Sequence, residues 1–221
     1  MKILAVDTSS TVASVAIREN GETVTETALE SSTGFAHLIF DAIEKCRNEA
    51  RLDLRQIDCF AAASGPGSFT GVRIGLTVAK GLAESTRKPA IGISNLRALS
   101  SFGKNAWRLR AAVLDARRSE VYAAVYDRHL RPVLPETVQP LDAWLAQLDP
   151  GAEYEFISPM PMALDGTRFA QMPFTRPPAA LAGAVAFCAE LDGAEGKWLD
   201  PAVLDANYVR RSDAELFWKE S

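Results

Sequence analysis

The first hundred residues alternate between short apolar runs and segments with helical spacing. Residues 3–6 form a continuous apolar run, as expected for a strand that is covered on both faces. Residues 12–17 resemble a second strand, and Asn20-Gly21 suits the positive backbone angles of a tight hairpin turn before a third strand around Val24. The chain is therefore predicted to begin with a three-stranded antiparallel meander.

Helical spacing follows twice, with a buried strand after each helix. Residues 35–50 and 71–85 repeat apolar side chains at intervals of three and four residues. Short apolar runs at 57–63 and 90–93 predict two further strands, and a helix is expected at 95–102. The order β-β-β-α-β-α-β-α predicts an α/β fold in which helices pack against a mixed sheet.

The second half is predicted to be smaller and less regular. A boundary near residues 103–105 divides the chain into an N-terminal subdomain, 1–104, and a C-terminal subdomain, 105–221. Many prolines interrupt residues 131–178. The elements predicted in this half are strands at 111–114 and 121–126 and helices at 141–148 and 179–191.

Composition narrows the classes of function. The chain has 24 basic and 28 acidic residues and therefore a net charge of −4. This charge argues against a protein whose whole surface binds nucleic acid. Two histidines and three separated cysteines argue against a metal cage, and the cysteines are expected to be buried small hydrophobic residues. Neither a signal-peptide core nor an apolar run of about 18 residues is evident, so a soluble, cytoplasmic protein without membrane contact is expected.

Residues 64–75, Ser-Gly-Pro-Gly-Ser-Phe-Thr-Gly-Val-Arg-Ile-Gly, form the most distinctive segment. A glycine-rich turn between a strand and a helix exposes backbone amides that can hold a phosphate. The segment lacks the P-loop lysine and the Rossmann glycine spacing. On a purely structural interpretation, Ser68 or Thr70 caps the helix, and Gly71 and Gly75 let another helix approach. Both interpretations remain open.

The turn Asp7-Thr8-Ser9-Ser10 ends the first strand. An acidic side chain beside hydroxyl groups can hold a magnesium-bound phosphate. It can equally satisfy a turn through hydrogen bonds from its own neighbours. The sequence leaves both alternatives open.

Three segments together resemble the bacterial family of tRNA threonylcarbamoyladenosine biosynthesis proteins called TsaB or YeaZ. They are Asp7 with the hairpin after it, residues 64–75, and the stretch Asp-Ala-Arg-Arg-Ser-Glu-Val-Tyr at 115–122; residues 207–210 resemble the closing segment of the family. The resemblance implies two ribonuclease-H-like subdomains of the actin-like ATPase fold, the second of them reduced.

The resemblance also implies a role in tRNA modification. Members of the family are non-catalytic scaffold subunits that pair with a catalytic paralogue, TsaD. Together with the ATPase TsaE, they serve the transfer of a threonylcarbamoyl group to N6 of adenosine 37 in tRNA. TsaD carries a histidine pair for a metal, whereas this chain has the single His37 on the corresponding helix. No cofactor is therefore expected for the chain alone, ATP or ADP is expected only in the complex, and tRNA is expected to be bound mainly through the complex.

The two predicted helices at 35–50 and 71–85 are implied to pack against the same helices of TsaD, or of a second copy when the chain is alone. On the alternative interpretation, both helices only cover the sheet and Phe40 touches a loop. The residues predicted for the interface are Ala36, Phe40, Ile43, Arg47, Gly71, Arg73, Gly75, Thr77 and Gly81. A vestigial nucleotide loop is predicted at Asp7, Thr8, Gly65, Gly67 and Ser68.

Two competing functions and one further set of residues complete the predictions. A nucleotide-dependent phosphotransferase of the same superfamily would need a second acidic base and an adenosine-binding glycine motif, and neither is evident in the sequence. A metallopeptidase lacks enough metal ligands. Arg73, Arg117 and Arg118 could touch RNA phosphate, but a solvated, salt-bridging surface is favoured at this net charge.

Overall fold

The computed structural model describes residues 1–31, 34–105 and 108–210, and its first half is built on a five-stranded mixed sheet. Three antiparallel strands are followed by two that run parallel to the first, in the order β3-β2-β1-β4-β5. The hairpin between the second and third strands turns at Asn20 and Gly21, which have φ angles of 50° and 92°. The predicted meander is confirmed. The strands are β1 Lys2–Asp7, β2 Val12–Glu19, β3 Glu22–Glu30, β4 Cys59–Gly65 and β5 Ala90–Ser94.

Two long helices cover one face of this sheet. They are α1 Ile39–Ala50 and α2 Phe69–Thr86, and their buried sides form one core with alternate residues of the strands. The predicted start of the first helix at residue 35 is wrong. Residues 35–38 form a turn in which the amides of Leu38 and Ile39 both donate to the Phe35 carbonyl at 3.0 Å, so the regular helix begins at Ile39.

The second sheet repeats the arrangement of the first. Its order is β10-β9-β6-β7-β8, with an antiparallel meander and two strands parallel to its first member. This repeated topology confirms the predicted fold class, two ribonuclease-H-like α/β subdomains, and the second is reduced. Its elements are β6 Leu109–Arg117, β7 Glu120–Tyr126, β8 Pro132–Pro140, α4 Leu141–Leu145, β9 Tyr154–Ile157 and β10 Phe174–Thr175.

Strand β8 was missed because its prolines argue against a strand. β8 lies at the edge of the sheet, where one side of the strand needs no hydrogen-bonding partner. Pro132, Pro135 and Pro140 are therefore tolerated there. The sequence pattern did not predict β9 and β10 either, since they are only four and two residues long.

Each sheet is also covered by a helix that belongs to the other half of the chain. Helix α3, Asn95–Ser100, packs against β6 and β7, whereas α5, Ala182–Ala194, packs against β1, β2 and β4. Arg97 of α3 donates two hydrogen bonds to Asp192 of α5, at 2.5 and 2.9 Å, and this ion pair joins the two helices. The two sheets are thus interlocked through exchanged helices. The boundary predicted between residues 104 and 105 falls between α3 and β6, and it stays a prediction.

All three cysteines are buried and free, as predicted. Burial raises the pKa values of Cys59 and Cys188 to about 12, so at neutral pH both are thiols without nucleophilic character. They fill apolar space in the first half of the molecule. A redox role has no support in their surroundings.

Helix α2 passes very close to the end of β1. The Thr8 hydroxyl donates to the carbonyl of Gly71 at 2.6 Å, and a Cβ placed on Gly71 would lie only 1.9 Å from the Thr8 carbonyl oxygen. A Cβ on Gly75 would lie 2.9 Å from the Thr8 hydroxyl. Both glycines were expected to admit a helix of another chain. The structure corrects this, because the segment they admit is β1 and the turn after it in the same chain.

We expect Gly71→Ala to lower the free energy of unfolding by about 3 kcal/mol or more, since the new methyl group meets backbone that cannot move aside. Gly81→Ala in the same helix is the matched control. It has nothing within 4 Å and should raise stability by about 0.5–1 kcal/mol through helix propensity. Urea denaturation of both variants measures the difference. Equal changes in the free energy of unfolding would contradict the claim that α2 lies too close to Thr8 for a side chain at position 71.

Candidate functional site

The outward faces of α1 and α2 enclose an apolar groove of about 800 Å³. The first wall is formed by Phe40 of α1 and by Ala36 in the preceding turn. Along the other wall, the lining residues of α2 span fourteen positions, a length of about 20 Å at the helical rise. The α2 residues that line the groove are Phe69, Thr70, Arg73, Ile74, Thr77, Val78, Gly81 and Leu82.

Two aromatic side chains of the groove are exposed to an unusual degree. Phe40 is 57% exposed and Phe69 is 47% exposed, although the opposite sides of their helices are packed into the core. The fold therefore does not need either ring for its own core. Grouped on one concave surface, they form the kind of apolar patch that binds a partner.

The structure separates the predicted interface residues into two groups. Ala36, Phe40, Arg73, Thr77 and Gly81 line the groove and are exposed, and their role in an interface stays a prediction.

The remaining predicted interface residues lie elsewhere. Ile43, Gly71 and Gly75 are buried against their own sheet, because they fall on the inner faces of the helices; their prediction as surface residues is wrong. Arg47 is half-buried, lies outside the groove lining and pairs with Glu44.

Four apolar residues of the groove were missed by the sequence analysis. Phe69, Ile74, Val78 and Leu82 recur along α2 at intervals of four or five residues, beside the stripe that faces the sheet. A second stripe at helical spacing was the available signal. It was missed because Val78 also contributes to the core and Phe69 lies within the glycine motif.

A cluster of two rings and a cation lies at one end of the groove. The Arg73 guanidinium lies 3.9 Å over the ring of Phe69, and its Nε donates to the Tyr208 hydroxyl at 3.1 Å. The Phe69 and Tyr208 rings are 5.7 Å apart. Arg73 was expected on a solvated, salt-bridging surface. It is exposed, but its cation–π contact and its hydrogen bond are with aromatic side chains, so this cation orders the groove wall.

The glycine motif lies directly behind this end of the groove and faces the turn at the end of β1. The Asp7 carboxylate is fully buried, and its Oδ1 accepts hydrogen bonds from the amide and the hydroxyl of Ser9 at 2.8 and 2.5 Å. Asn95 of α3 donates to the same Ser9 hydroxyl at 2.5 Å. Asp7 Oδ2 and Asn95 Oδ1 are buried without a hydrogen-bond partner. Burial raises the pKa of Asp7, against the two hydrogen bonds from Ser9, which lower it.

The loop itself is closed down on this turn. The Ser68 amide donates to the Ser9 carbonyl at 2.7 Å, and a Cβ on Gly67 would lie 2.6 Å from that same oxygen. Gly65 has a φ of 103°, and a Cβ on it would lie 3.1 Å from the Asn207 carbonyl oxygen. Ser68 accepts a hydrogen bond from the Gly71 amide at 3.3 Å, which confirms it as the N-cap of α2.

Three groups predicted to face a nucleotide phosphate are already bonded or enclosed in this arrangement. The Ser68 amide, which would face a phosphate at the start of α2, is already bonded, and Asp7 Oδ2 is enclosed by protein. Thr8, also predicted for the nucleotide loop, bonds to Gly71. Binding of ATP or ADP in a complex stays a prediction.

The described ranges contain no group of three or more histidine, cysteine, aspartate or glutamate residues that could hold a metal ion. His37 and His129 are both exposed. In the same ranges, no helix is long and apolar enough to cross a membrane.

Comparison with known proteins places this geometry in a family. Residues 29–190 match the model of the family described as TsaD, tRNA N6-adenosine threonylcarbamoyltransferase. The tRNA threonylcarbamoyladenosine biosynthesis protein TsaB of Bacillus subtilis (strain 168) is 32% identical over 67% of this chain and 66% of its own length. The protein of the same name from Escherichia coli (strain K12) is 37% identical over 58% of this chain and 56% of its own length. The chain belongs to the TsaD family and, within it, to the TsaB (YeaZ) group.

Solved structures of the TsaB (YeaZ) group share the whole fold. YeaZ from Pseudomonas aeruginosa is 26% identical, with a TM-score of 0.76 over 94% of this chain and 99% of its own. A protein with similarity to peptidase YeaZ from Pseudomonas aeruginosa is 25% identical, with a TM-score of 0.81 over 95% of this chain and 99% of that one. The sequence matches, in contrast, span about half to two thirds of the length of the curated TsaB relatives.

The raised pKa of Asp7 predicts a dependence of stability on pH. Between the unfolded-state pKa near 4 and the higher folded-state pKa, the native chain binds more protons, so the Asp7 contribution to stability falls as pH rises. Asp7→Asn removes this contribution. We therefore expect wild type to lose stability relative to Asp7→Asn as the pH rises from 4.5 to 7. Urea denaturation at both pH values measures it, and parallel pH profiles would contradict the prediction.

Proposed function

We propose that this chain is the scaffold subunit of a tRNA-modifying enzyme and that it carries out no chemistry itself. Its catalytic partner would be a TsaD chain, which transfers the threonylcarbamoyl group to N6 of adenosine 37. The curated relatives are named for the biosynthesis of threonylcarbamoyladenosine, which supports this pathway step. A single histidine at position 37, where the resemblance implies a pair in the catalytic subunit, supports the scaffold role.

The observation that carries the proposal is the apolar groove between α1 and α2. Its exposed rings, Phe40 and Phe69, stand on a concave surface that runs about 20 Å along α2, a length of several turns of a partner helix. Both rings are about half exposed, so completing the burial of each contributes about 1 kcal/mol to binding. The corresponding helices of TsaD, which shares the family, are the proposed occupants. When TsaD is absent, a second copy of this chain could present the same surface.

The proposed division of labour assigns the remaining partners to the complex. TsaE would supply ATP hydrolysis, and tRNA would be held mainly by TsaD, since the net charge of this chain is −4. Reconstitution tests this proposal directly. TsaD, TsaE, tRNA and a source of threonylcarbamoyl-adenylate should modify adenosine 37 efficiently only when this chain is added. Equal rates with and without it would refute the scaffold role.

The phosphotransferase alternative is tested on the chain alone. Appreciable ATP hydrolysis that is lost in Asp7→Ala would favour it over the scaffold role. The closed glycine loop gives this alternative no particular support.

We expect Phe40→Asp to weaken binding to TsaD at least tenfold, because a carboxylate would be buried in an apolar contact. Phe174→Asp is the matched control, since Phe174 is 42% exposed but lies in β10, far along the chain from the groove helices. Titration calorimetry measures both affinities, and circular dichroism checks that both variants fold. Unchanged affinity of a folded Phe40→Asp protein would falsify this surface as the interface.

A further inference from the structure

Residues 204–210, here called the strap, cross from the first sheet to the second without forming a helix or strand. The strap begins at Leu204, which is buried in the core beneath α2. Lys80 of α2 holds this end through hydrogen bonds to the carbonyls of Ala202 and Leu204, at 3.2 and 2.9 Å. The far end is held by Arg210, which donates to the Ala116 carbonyl at 3.0 Å and pairs with Glu120. The strap therefore ties the two subdomains together.

The middle of the strap lies on the glycine loop. The Asn207 amide donates to the Ser64 carbonyl at 2.7 Å, and the Asn207 carbonyl stands over Gly65. The Asn207 side chain donates to Glu136 of β8 at 2.7 Å. Glu136 also accepts hydrogen bonds from Tyr126 and from Ser94 at the end of β5. One residue of the strap thus joins the loop to a hydrogen-bond network between the sheets.

The next residue of the strap reaches the groove. Tyr208 packs its ring against Phe69, and its hydroxyl accepts the hydrogen bond from Arg73. Both of its partners line the groove. Tyr208 itself is 46% exposed, so its position depends on these two contacts more than on burial.

We propose that the strap couples the groove to the glycine loop, with Tyr208 as the latch. A segment without a backbone ladder is held only by its separate anchors, so loss of one anchor loosens its neighbours. A partner seated in the groove would press on Phe69 and Arg73 and thereby hold Tyr208 and, through the adjacent Asn207, the closed loop.

The coupling is positive in sign. Tyr208 orders the long side chain of Arg73 before any partner arrives, and this removes part of the entropy cost of binding. By linkage, a partner that binds better to the latched form must also stabilise the latched form. The identity of the partner rests on the proposed function, whereas the latch is a property of this chain alone.

Hydrogen exchange on the isolated chain tests the latch. We expect Tyr208→Ala to speed exchange of the Asn207 amide at least tenfold. Tyr208→Phe, which keeps the ring against Phe69, should change it less than threefold. Thr77→Ala, which alters the groove away from the strap, should leave it unchanged. Equal exchange in wild type and Tyr208→Ala would overturn the latch.

The coupling is tested with TsaD and the variant Asn207→Ala, which removes the side-chain bond to Glu136 without touching the groove. We expect this variant to bind TsaD at least threefold more weakly than wild type, and TsaD to slow exchange of the Asn207 amide in wild type. Unchanged affinity together with unchanged exchange would overturn the coupling. If wild type itself does not bind TsaD, both the proposed function and TsaD as the partner in the coupling are refuted. The hydrogen-exchange rates of the isolated chain still test the latch in that case.

Discussion

The contact between Thr8 and Gly71 is the constraint on which the other features of the site depend. It brings the first turn of α2 against the end of β1, at a distance that leaves no room for a Cβ. This fixes which face of α2 is turned inward, so Phe69 and Arg73 necessarily point to the outside. The same approach closes the glycine loop on Ser9. Groove and loop are therefore two consequences of one packing event.

The exchanged helices explain how a reduced second half remains ordered. The second sheet has a helix of only five residues on one face and strands of four and two residues at one edge. Its other face is completed by α3 from the first half, and α5 returns to the first sheet. Because each half supplies part of the other's core, the two sheets do not depend on a large core of their own. The strap adds hydrogen bonds between the two subdomains, from Asn207 to Glu136 and from Arg210 to the Ala116 carbonyl.

Three arginine side chains stabilise the arrangement of neighbouring elements through local contacts. Arg97 pairs with Asp192 between exchanged helices, and Arg210 pairs with Glu120 at the end of the strap. Arg73 lies over the Phe69 ring and donates to the Tyr208 hydroxyl. These cations fix the relative positions of elements that share no backbone hydrogen bonds.

The sequence by itself determined the local structure of the first half and the identity of the motif-bearing loop. Asn20-Gly21 and the helical apolar spacing specify their elements through short-range geometry, and both were confirmed apart from the start of α1. Of the two caps considered for α2, Ser68 or Thr70, the structure selects Ser68. Strand β8 was missed because tolerance of its prolines depends on an edge position that only the assembled sheet defines. Only the tertiary structure determined which glycines are required for close packing. Gly71 and Gly81 look equivalent on a helix, but a Cβ on Gly71 would lie 1.9 Å from the Thr8 carbonyl oxygen, whereas one on Gly81 would meet open space. That difference depends on which strand lies beneath the helix. The role of Tyr208 likewise arises from a contact across 139 residues with Phe69, a separation at which no sequence period operates.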